Sequence, residues 1–309
     1  MSSWPLGAFA LALAATTAAG APRVATDIAP VHSIAARVMA GVGTPDLVIP
    51  PGASPHGYAL RPSEAAALQA ADLVVWVGPA LTPWLADPLD SLAPDAARLT
   101  LEDGPGITLL PARSGSGFEP HVHEAGEAED HDHDSEHAID GHLWLSPARA
   151  PAIIRAAAAA FAGLDPEHAA TYTANAEAFS SDLDALSAGI ASELAPVRGR
   201  PYIVFHDAFR YFEAAFDIPA SGSVVLQEGV EPSAARVAEL RDHVTKASIV
   251  CAFTEPQFEP RLLQTVIEGT GVRTGEIDDI GASLPPGPNL YPDLLRNIAD
   301  DLRDCLAGD

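Results

Sequence analysis

Short apolar runs alternate with amphipathic stretches through the first part of the chain after residue 21. The run at 73–77 is continuously apolar, and shorter runs of the same kind lie at 24–26 and 47–49. Such runs are typical of strands in a parallel sheet that is buried on both faces. Stretches typical of helices lie at 31–39 and 63–70, between the predicted strands. This alternation predicts an α/β domain.

One long helix is predicted at 165–196. Asp165 and Pro166 favour a helix start, because Asp caps helix N-termini and Pro fits the first helical position. The apolar residues that follow are spaced for one helical face: Tyr172, Phe179, Leu183, Leu186, Ile190 and Leu194. At about 1.5 Å per residue, such a helix spans roughly 45 Å and could cross a whole domain.

The alternation of strand and helix begins again beyond residue 200. Strands are predicted at 202–205, 224–226, 249–253 and 272–277, and helices at 233–244, 260–268 and 291–306. The predicted fold class is therefore α/β, with an N-terminal lobe at 22–164, a linking helix at 165–196 and a C-terminal lobe at 197–309.

Residues 1–21 have the pattern of a secretory signal peptide. An apolar stretch at 6–19 leads into Ala19-Gly20-Ala21, a small-residue cleavage pattern. The stretch is short for a membrane span. No Lys or Arg precedes it, which is unusual for a signal peptide. A buried first helix is the alternative. Because no Cys lies near the cleavage pattern, we expect export with a cleaved signal peptide and without a lipid anchor.

The charge balance narrows the range of partners. The 309 residues include 42 Asp and Glu against 17 Lys and Arg, which gives a net charge of −25. Nucleic acid and anionic membranes would repel such a chain, so neither is expected as a partner. With 48% apolar residues, the chain can bury a sizeable core.

Cys251 and Cys305 are the two cysteines of the sequence. After export, an oxidising compartment would allow them to form a disulfide. Closing a loop of this length stabilises a fold by roughly 4 kcal/mol in the chain-entropy model. Two free buried thiols are the alternative.

A low-complexity loop is predicted at 112–140, where the strand and helix pattern stops. Its central part, 119–137, combines eight acidic residues with five histidines: His121, His123, His131, His133 and His137. We expect this loop to be disordered without a ligand. A flexible run of imidazoles and carboxylates offers many weak metal sites, although a solvated acidic linker with incidental histidines is the alternative.

Four further residues are candidate metal ligands. His56, His206 and Asp278 each lie just beyond a predicted strand, and His142 lies in the segment 140–145. In open α/β sheets, ligands bind at that edge. Three imidazoles and a carboxylate form a ligand set that Zn²⁺ accepts in tetrahedral geometry. Alternatively, each histidine is an ordinary hydrogen-bonded residue and the Asp pair at 278–279 only forms a turn.

Five ordered segments resemble the zinc- and manganese-binding proteins of bacterial ABC importers, the cluster A-I substrate-binding family. They are Ser54-Pro55-His56-Gly57-Tyr58, Asp140-Gly141-His142-Leu143-Trp144-Leu145, Phe205-His206-Asp207-Ala208-Phe209, Phe253-Thr254-Glu255-Pro256-Gln257-Phe258 and Ile277-Asp278-Asp279-Ile280-Gly281. The resemblance implies two α/β lobes joined by one long rigid helix, with a metal site in the cleft between the lobes. It also implies a periplasmic location, an importer permease in the membrane as partner, and a monomer.

The resemblance assigns His56, His142, His206 and Asp278 as the ligands. Manganese-binding members usually have Glu where this chain has His206, and a third imidazole favours Zn²⁺. The family usually has Pro where Asp279 stands, so Asp279, water or a Glu from a loop are alternatives for the fourth ligand.

The resemblance also implies roles for residues away from the cleft. The histidine-rich loop would be an auxiliary, low-affinity zinc site. Cys251 and Cys305 would form a disulfide that fastens the last helix to the C-terminal lobe, and Glu255 would support a ligand.

A zinc hydrolase is the hypothesis from another class. Three histidines and an open position also suit catalytic zinc, and Glu255 or Asp207 could act as general base. The sequence has neither a His-Glu-x-x-His helix nor a Gly-x-Ser-x-Gly turn, so we expect no enzymatic activity. A manganese carrier of the same fold, or a periplasmic zinc buffer without a transporter, are further alternatives.

Overall fold

The structure, a computed structural model, describes residues 20–113, 138–226 and 232–308. The first lobe contains a parallel sheet with strand order β2-β1-β3-β4. Its strands are β1 (Val24–Thr26), β2 (Asp46–Leu47), β3 (Leu73–Trp76) and β4 (Ala97–Thr100). Its helices are α1 (Ala29–Val38), α2 (Pro62–Ala70), α3 (Ala86–Leu92) and α4 (Ala150–Leu164), with single 3-10 turns at Pro83–Leu85 and Leu143–Leu145.

The second lobe repeats this topology with strand order β6-β5-β7-β8, again all parallel. The strands are β5 (Tyr202–His206), β6 (Ser223–Val225), β7 (Cys251–Thr254) and β8 (Arg273–Glu276). The helices are α6 (Arg210–Phe216), α7 (Ala234–Lys246), α8 (Arg261–Ile267) and α9 (Leu290–Ala307). In each sheet the chain reverses its direction of winding between two central strands, where ligands bind in folds of this kind.

A long helix lies between the lobes, as predicted. Helix α5 (Ala169–Leu194) follows a 3-10 turn at Pro166–His168 and continues into another at Ala195–Val197. Its buried face carries Tyr172, Ala176, Phe179, Leu183, Ile190 and Leu194, which is the predicted stripe with Ala176 in place of Leu186. The helix packs against α4 and α1 of the first lobe and α9 of the second, which confirms the predicted fold class.

The start of this helix differs from the prediction. The Asp165 carboxylate accepts hydrogen bonds from the Tyr172 hydroxyl at 2.8 Å and pairs with the His168 ring at 2.7 Å. It makes no capping bond to a backbone N–H. The 3-10 turn shifts the first α-helical turn beyond the reach of Asp165, so the expected N-cap was wrong.

A disulfide joins Cys251 in β7 to Cys305 in α9, which confirms the expected pairing. The two Cα atoms are 6.1 Å apart, and the Arg273 guanidinium donates to the Cys305 carbonyl. The last helix is therefore fastened to the second sheet. Within the described part of the chain, no helix is both long enough and apolar enough to cross a membrane.

Removing the disulfide should destabilise the protein without unfolding it. A Cys251→Ala, Cys305→Ala variant frees a loop with a sequence separation of 54. We expect its free energy of unfolding to be about 2–4 kcal/mol lower, because the unfolded chain gains entropy. Urea unfolding of both proteins measures the difference. Equal midpoints and slopes under non-reducing conditions would contradict the expectation.

Candidate metal centre

Three histidine rings from distant parts of the sequence converge between the lobes. His56 lies in the loop between β2 and α2, His142 precedes the 3-10 turn Leu143–Leu145, and His206 ends β5. The Nε2 atom of His142 is 3.2 Å from Nε2 of His56 and 3.4 Å from Nε2 of His206. One ring nitrogen from each histidine lies within 4.8 Å of the others.

These separations fit a tetrahedral metal ion. With Zn–N bonds of about 2.0–2.1 Å, two nitrogens on one tetrahedral zinc lie roughly 3.3–3.4 Å apart. Both measured Nε2 separations are close to that value. The cluster therefore has the spacing of a coordination shell.

A carboxylate fixes the far nitrogen of two of the rings. Asp140 Oδ1 lies 2.8 Å from Nδ1 of His142, and Glu255 Oε1 lies 2.8 Å from Nδ1 of His206. A neutral ring whose Nδ1–H donates to a carboxylate carries its lone pair on Nε2. The lone pairs of His142 and His206 then face each other, and a shared cation removes their repulsion.

The backbone around His142 has little freedom. A Cβ atom on Gly141 would lie 2.9 Å from the backbone of Ala80 and of Leu81, so only glycine fits there. Asp140 Oδ1 also accepts a hydrogen bond from the His142 backbone N–H at 3.0 Å. The Asp-Gly-His sequence therefore holds the ring and its carboxylate partner in one turn.

Each of the other two histidines is positioned by neighbouring groups. Trp84 Nε1 donates to the Pro55 carbonyl at 2.7 Å, and the His56 backbone N–H donates to Ser54 Oγ at 3.2 Å. The His206 backbone N–H donates to Glu255 Oε1 at 3.1 Å, between the ends of β5 and β7. His206 and Glu255 thus lie where the second sheet reverses its winding.

Burial favours the uncharged form of His56. His142 and His206, which flank it, are 6% and 2% exposed. Burial, together with the neighbouring His142 and His206, lowers the pKa of His56 to about 2. Burial raises the pKa of Glu255, although its contact with His206 acts in the opposite direction. Neutral imidazole is the form that binds metal, so His56 is ready for coordination at neutral pH.

The structure does not bring Asp278 to the cluster. Its carboxylate accepts backbone N–H bonds from Ile280, Gly281 and Ser283, and thereby closes a turn. Asp279 is 2% exposed, and its carboxylate lies within 4.8 Å of ligand atoms of His206 and Glu255. Backbone N–H groups thus engage both oxygens of Asp278, whereas the buried Asp279 carboxylate, which accepts from Gln257 Nε2 at 2.6 Å, lies near His206. Of the two carboxylates, Asp279 is therefore the better candidate for a fourth ligand.

Other candidates have different outcomes. Glu255, for which we expected a supporting role, contacts the His206 ring, whereas Asp140 and its matching contact with His142 were missed. The sequence did contain a signal for this contact, because Asp140 lies only two residues before His142. The histidines of the predicted auxiliary loop lie outside the described residues: His121, His123, His131, His133 and His137.

Hydrogen bonds join the lobes around the cluster. Trp144 Nε1 donates to the Asp279 carbonyl at 2.8 Å, and the Tyr291 hydroxyl donates to the Trp144 carbonyl at 2.6 Å. The Tyr211 hydroxyl donates to the Asp140 carbonyl at 2.9 Å. These hydrogen bonds join the two halves of the site.

Known proteins match this chain over nearly its whole length. The family described as "Zinc-uptake complex component A periplasmic" matches residues 24–305. The chain is 40% identical over 305 residues to the high-affinity zinc uptake system protein ZnuA of Brucella suis, covering 92% of this chain and 91% of that protein. It is 38% identical over 317 residues to the ZnuA of Paracoccus denitrificans, covering 98% and 97%.

A solved structure described as "Crystal structure of ZnuA" has a similar fold. It superimposes with a TM-score of 0.77 at 22% sequence identity, over 92% of this chain and 99% of that one. These matches confirm the resemblance drawn from the five sequence segments.

The carboxylates behind the rings should control metal affinity. Asp140→Asn and Glu255→Gln preserve size but remove the charge that fixes each Nδ1–H, and we expect Zn²⁺ to bind roughly 10–100-fold more weakly. Competition titration against a chelator measures the change. Asp278→Asn is the matched control and should leave the affinity near wild type. Wild-type affinity in both Asp140→Asn and Glu255→Gln would contradict this role.

Acid should destabilise the metal-free protein through His56. Its folded-state pKa of about 2 is below the ordinary 6.5, so the unfolded chain binds the extra proton between these values. Stability therefore falls as pH drops from 6.5 towards 2. In His56→Gln, we expect the slope of unfolding free energy against pH to be smaller by about 1.4 kcal/mol per pH unit. Identical slopes in chemical denaturation between pH 4 and 6 would refute this assignment.

Proposed function

Because this chain belongs to the family of periplasmic component A proteins of zinc-uptake complexes, we propose that it captures Zn²⁺ with His56, His142 and His206. It then delivers the ion to an importer in the membrane. Asp279 supplies the fourth ligand. The spacing of the Nε2 atoms carries this proposal, because two of them already lie at tetrahedral distances from the third.

The ligand chemistry supports zinc as the cargo. Three imidazoles suit Zn²⁺ better than Mn²⁺, which prefers oxygen ligands. The curated relatives from Brucella suis and Paracoccus denitrificans carry the name of a high-affinity zinc uptake protein. Neither the manganese carrier nor the zinc hydrolase is favoured by these observations, and membership of a substrate-binding family confirms that the chain is not an enzyme.

Rigid lobes suit a protein that captures a small ion tightly. The hydrogen bonds of Trp144, Tyr291 and Tyr211 join the lobes around the ligands, and such cross-links would reduce the reordering that metal binding needs. Each of the two lobes contributes ligands, with His56 and His142 from the first and His206 and Asp279 from the second. Slight separation of the lobes would therefore weaken several bonds together, which provides a route to release at the importer.

Other parts of the proposal rest on the sequence. The family is periplasmic, and residues 1–21 would be removed as a signal peptide, with no lipid anchor. The protein would act as a monomer on an importer permease. The histidines of 119–137 would collect Zn²⁺ at low affinity and pass it to the cleft.

Metal analysis of the full chain tests the function. We expect one tightly bound Zn²⁺ per chain, and affinity reduced by at least about 100-fold in His206→Ala, because two imidazoles and a carboxylate remain. Competition titration and elemental analysis measure both quantities. Asp279→Asn should also weaken binding, with Asp278→Asn as control. Tight Mn²⁺ binding that is indifferent to His206 would overturn the zinc assignment.

A variant lacking 119–137 separates the two kinds of site. It should lose the weaker binding events and retain the tight one. Loss of the tight site would mean that this segment contributes to the cleft.

A further inference from the structure

A buried cluster of three charged side chains joins the lobes beside the histidines. Arg113 Nε lies 3.0 Å from both carboxylate oxygens of Asp207, and its Nη2 also contacts Asp207. Its Nη1 and Nη2 atoms bind Glu213 at 2.7 and 3.1 Å. The three side chains are only 13%, 6% and 3% exposed, in the order Arg113, Asp207 and Glu213. One guanidinium therefore holds two carboxylates away from water.

Net stability is a poor explanation for this cluster. Removing three charges from water is costly, and buried ion pairs often contribute no more stability than apolar residues of the same size. A guanidinium with both carboxylates in its fork does, however, fix their orientation. The cluster is suited to holding two parts of the protein at a set distance.

The first of these parts carries His142. The Ala112 N–H donates to the Ala138 carbonyl at 2.8 Å, and the Asp140 N–H donates to the Leu110 carbonyl at 2.9 Å. These bonds pair the segment that ends in Arg113 with the segment that leads to His142. A shift of Arg113 would therefore move the backbone of Asp140, the carboxylate partner of His142.

The second part carries His206. Asp207 follows His206 directly, and the Ala208 N–H donates to the His206 carbonyl at 3.0 Å in the turn between β5 and α6. Glu213 lies in α6 and is 3% exposed. Arg113 thus joins the first lobe to the turn after His206, through Asp207, and to helix α6, through Glu213.

We propose that Arg113 is a positioning residue that sets the separation between His142 and His206, and through it the affinity for metal. This inference rests on the proposed function. Tyr211, also in α6, reinforces the same contact, because its hydroxyl accepts from the Leu110 N–H and donates to the Asp140 carbonyl, both at 2.9 Å. Lysine in place of Arg113 retains the charge but cannot engage both carboxylates in a fork.

The test compares Arg113→Lys with wild type in three measurements. They are Zn²⁺ affinity by competition titration, the visible absorption of the Co²⁺-loaded protein, and thermal unfolding of the metal-free protein. We expect Zn²⁺ affinity to fall on the order of ten-fold, and the Co²⁺ bands to shift or weaken as the tetrahedral geometry is lost. Arg37→Lys is the matched control, because Arg37 pairs with Asp182 between α1 and α5. It should change neither metal measurement.

The outcomes separate this inference from the proposed function. One tight Zn²⁺ in wild type, with unchanged affinity and Co²⁺ spectrum in Arg113→Lys, overturns the role of Arg113 and leaves the function intact. Absence of tight Zn²⁺ in wild type overturns the function itself. If Arg113→Lys fails to fold, Glu213→Gln takes its place, because it keeps the pair of Arg113 and Asp207. In Glu213→Gln, a loss of Zn²⁺ affinity smaller than about ten-fold together with an altered Co²⁺ spectrum supports the role of Arg113. Wild-type affinity and a wild-type spectrum in that variant overturn it.

Discussion

Two buried imidazoles, those of His142 and His206, direct their Nε2 atoms at each other across the interface between the lobes, and hydrogen bonds from both lobes hold them there. His142 and His206 each have a carboxylate at Nδ1, so both rings present a lone pair at Nε2, 3.4 Å apart. Two lone pairs at this distance would repel each other, and a metal ion bound between them would replace that repulsion with two bonds.

The architecture explains how residues from both lobes are brought to one site. The two sheets have the same strand order, and α5 and α9 pack both lobes into one body. Trp144 and Tyr291 form hydrogen bonds between the lobes, and so do Tyr211 and the buried cluster of Arg113. On the proposed function, these contacts would set the separation of the ligands that the two lobes contribute.

Sequence reasoning was most reliable where periodicity is strong. The stripe of α5 and the apolar strands β1, β3, β5 and β7 were predicted, whereas β4 and α4 were not. Strand β4 is an edge strand with half-exposed and exposed residues, so it has no apolar run. Helix α4 does carry a helical stripe, which includes Ile153, Ile154 and Phe161, so the sequence held a signal for it that was missed. The predicted cap at Asp165 failed for a different reason. A 3-10 turn that the sequence did not indicate separates Asp165 from the first turn of the α-helix.

The sequence by itself identified the three histidines as candidate ligands and the two cysteines as a possible pair, because order along the chain and residue chemistry carry that information. It also placed His56 and His206 beyond predicted strands, where α/β folds bind their ligands. Only the tertiary structure distinguishes the surroundings of Asp278 and Asp279, since a backbone turn engages the Asp278 carboxylate whereas the Asp279 carboxylate is buried near His206. Likewise, the contacts of Asp140 with the His142 ring and of Arg113 with Asp207 and Glu213 form only on folding. No local sequence pattern encodes those distances.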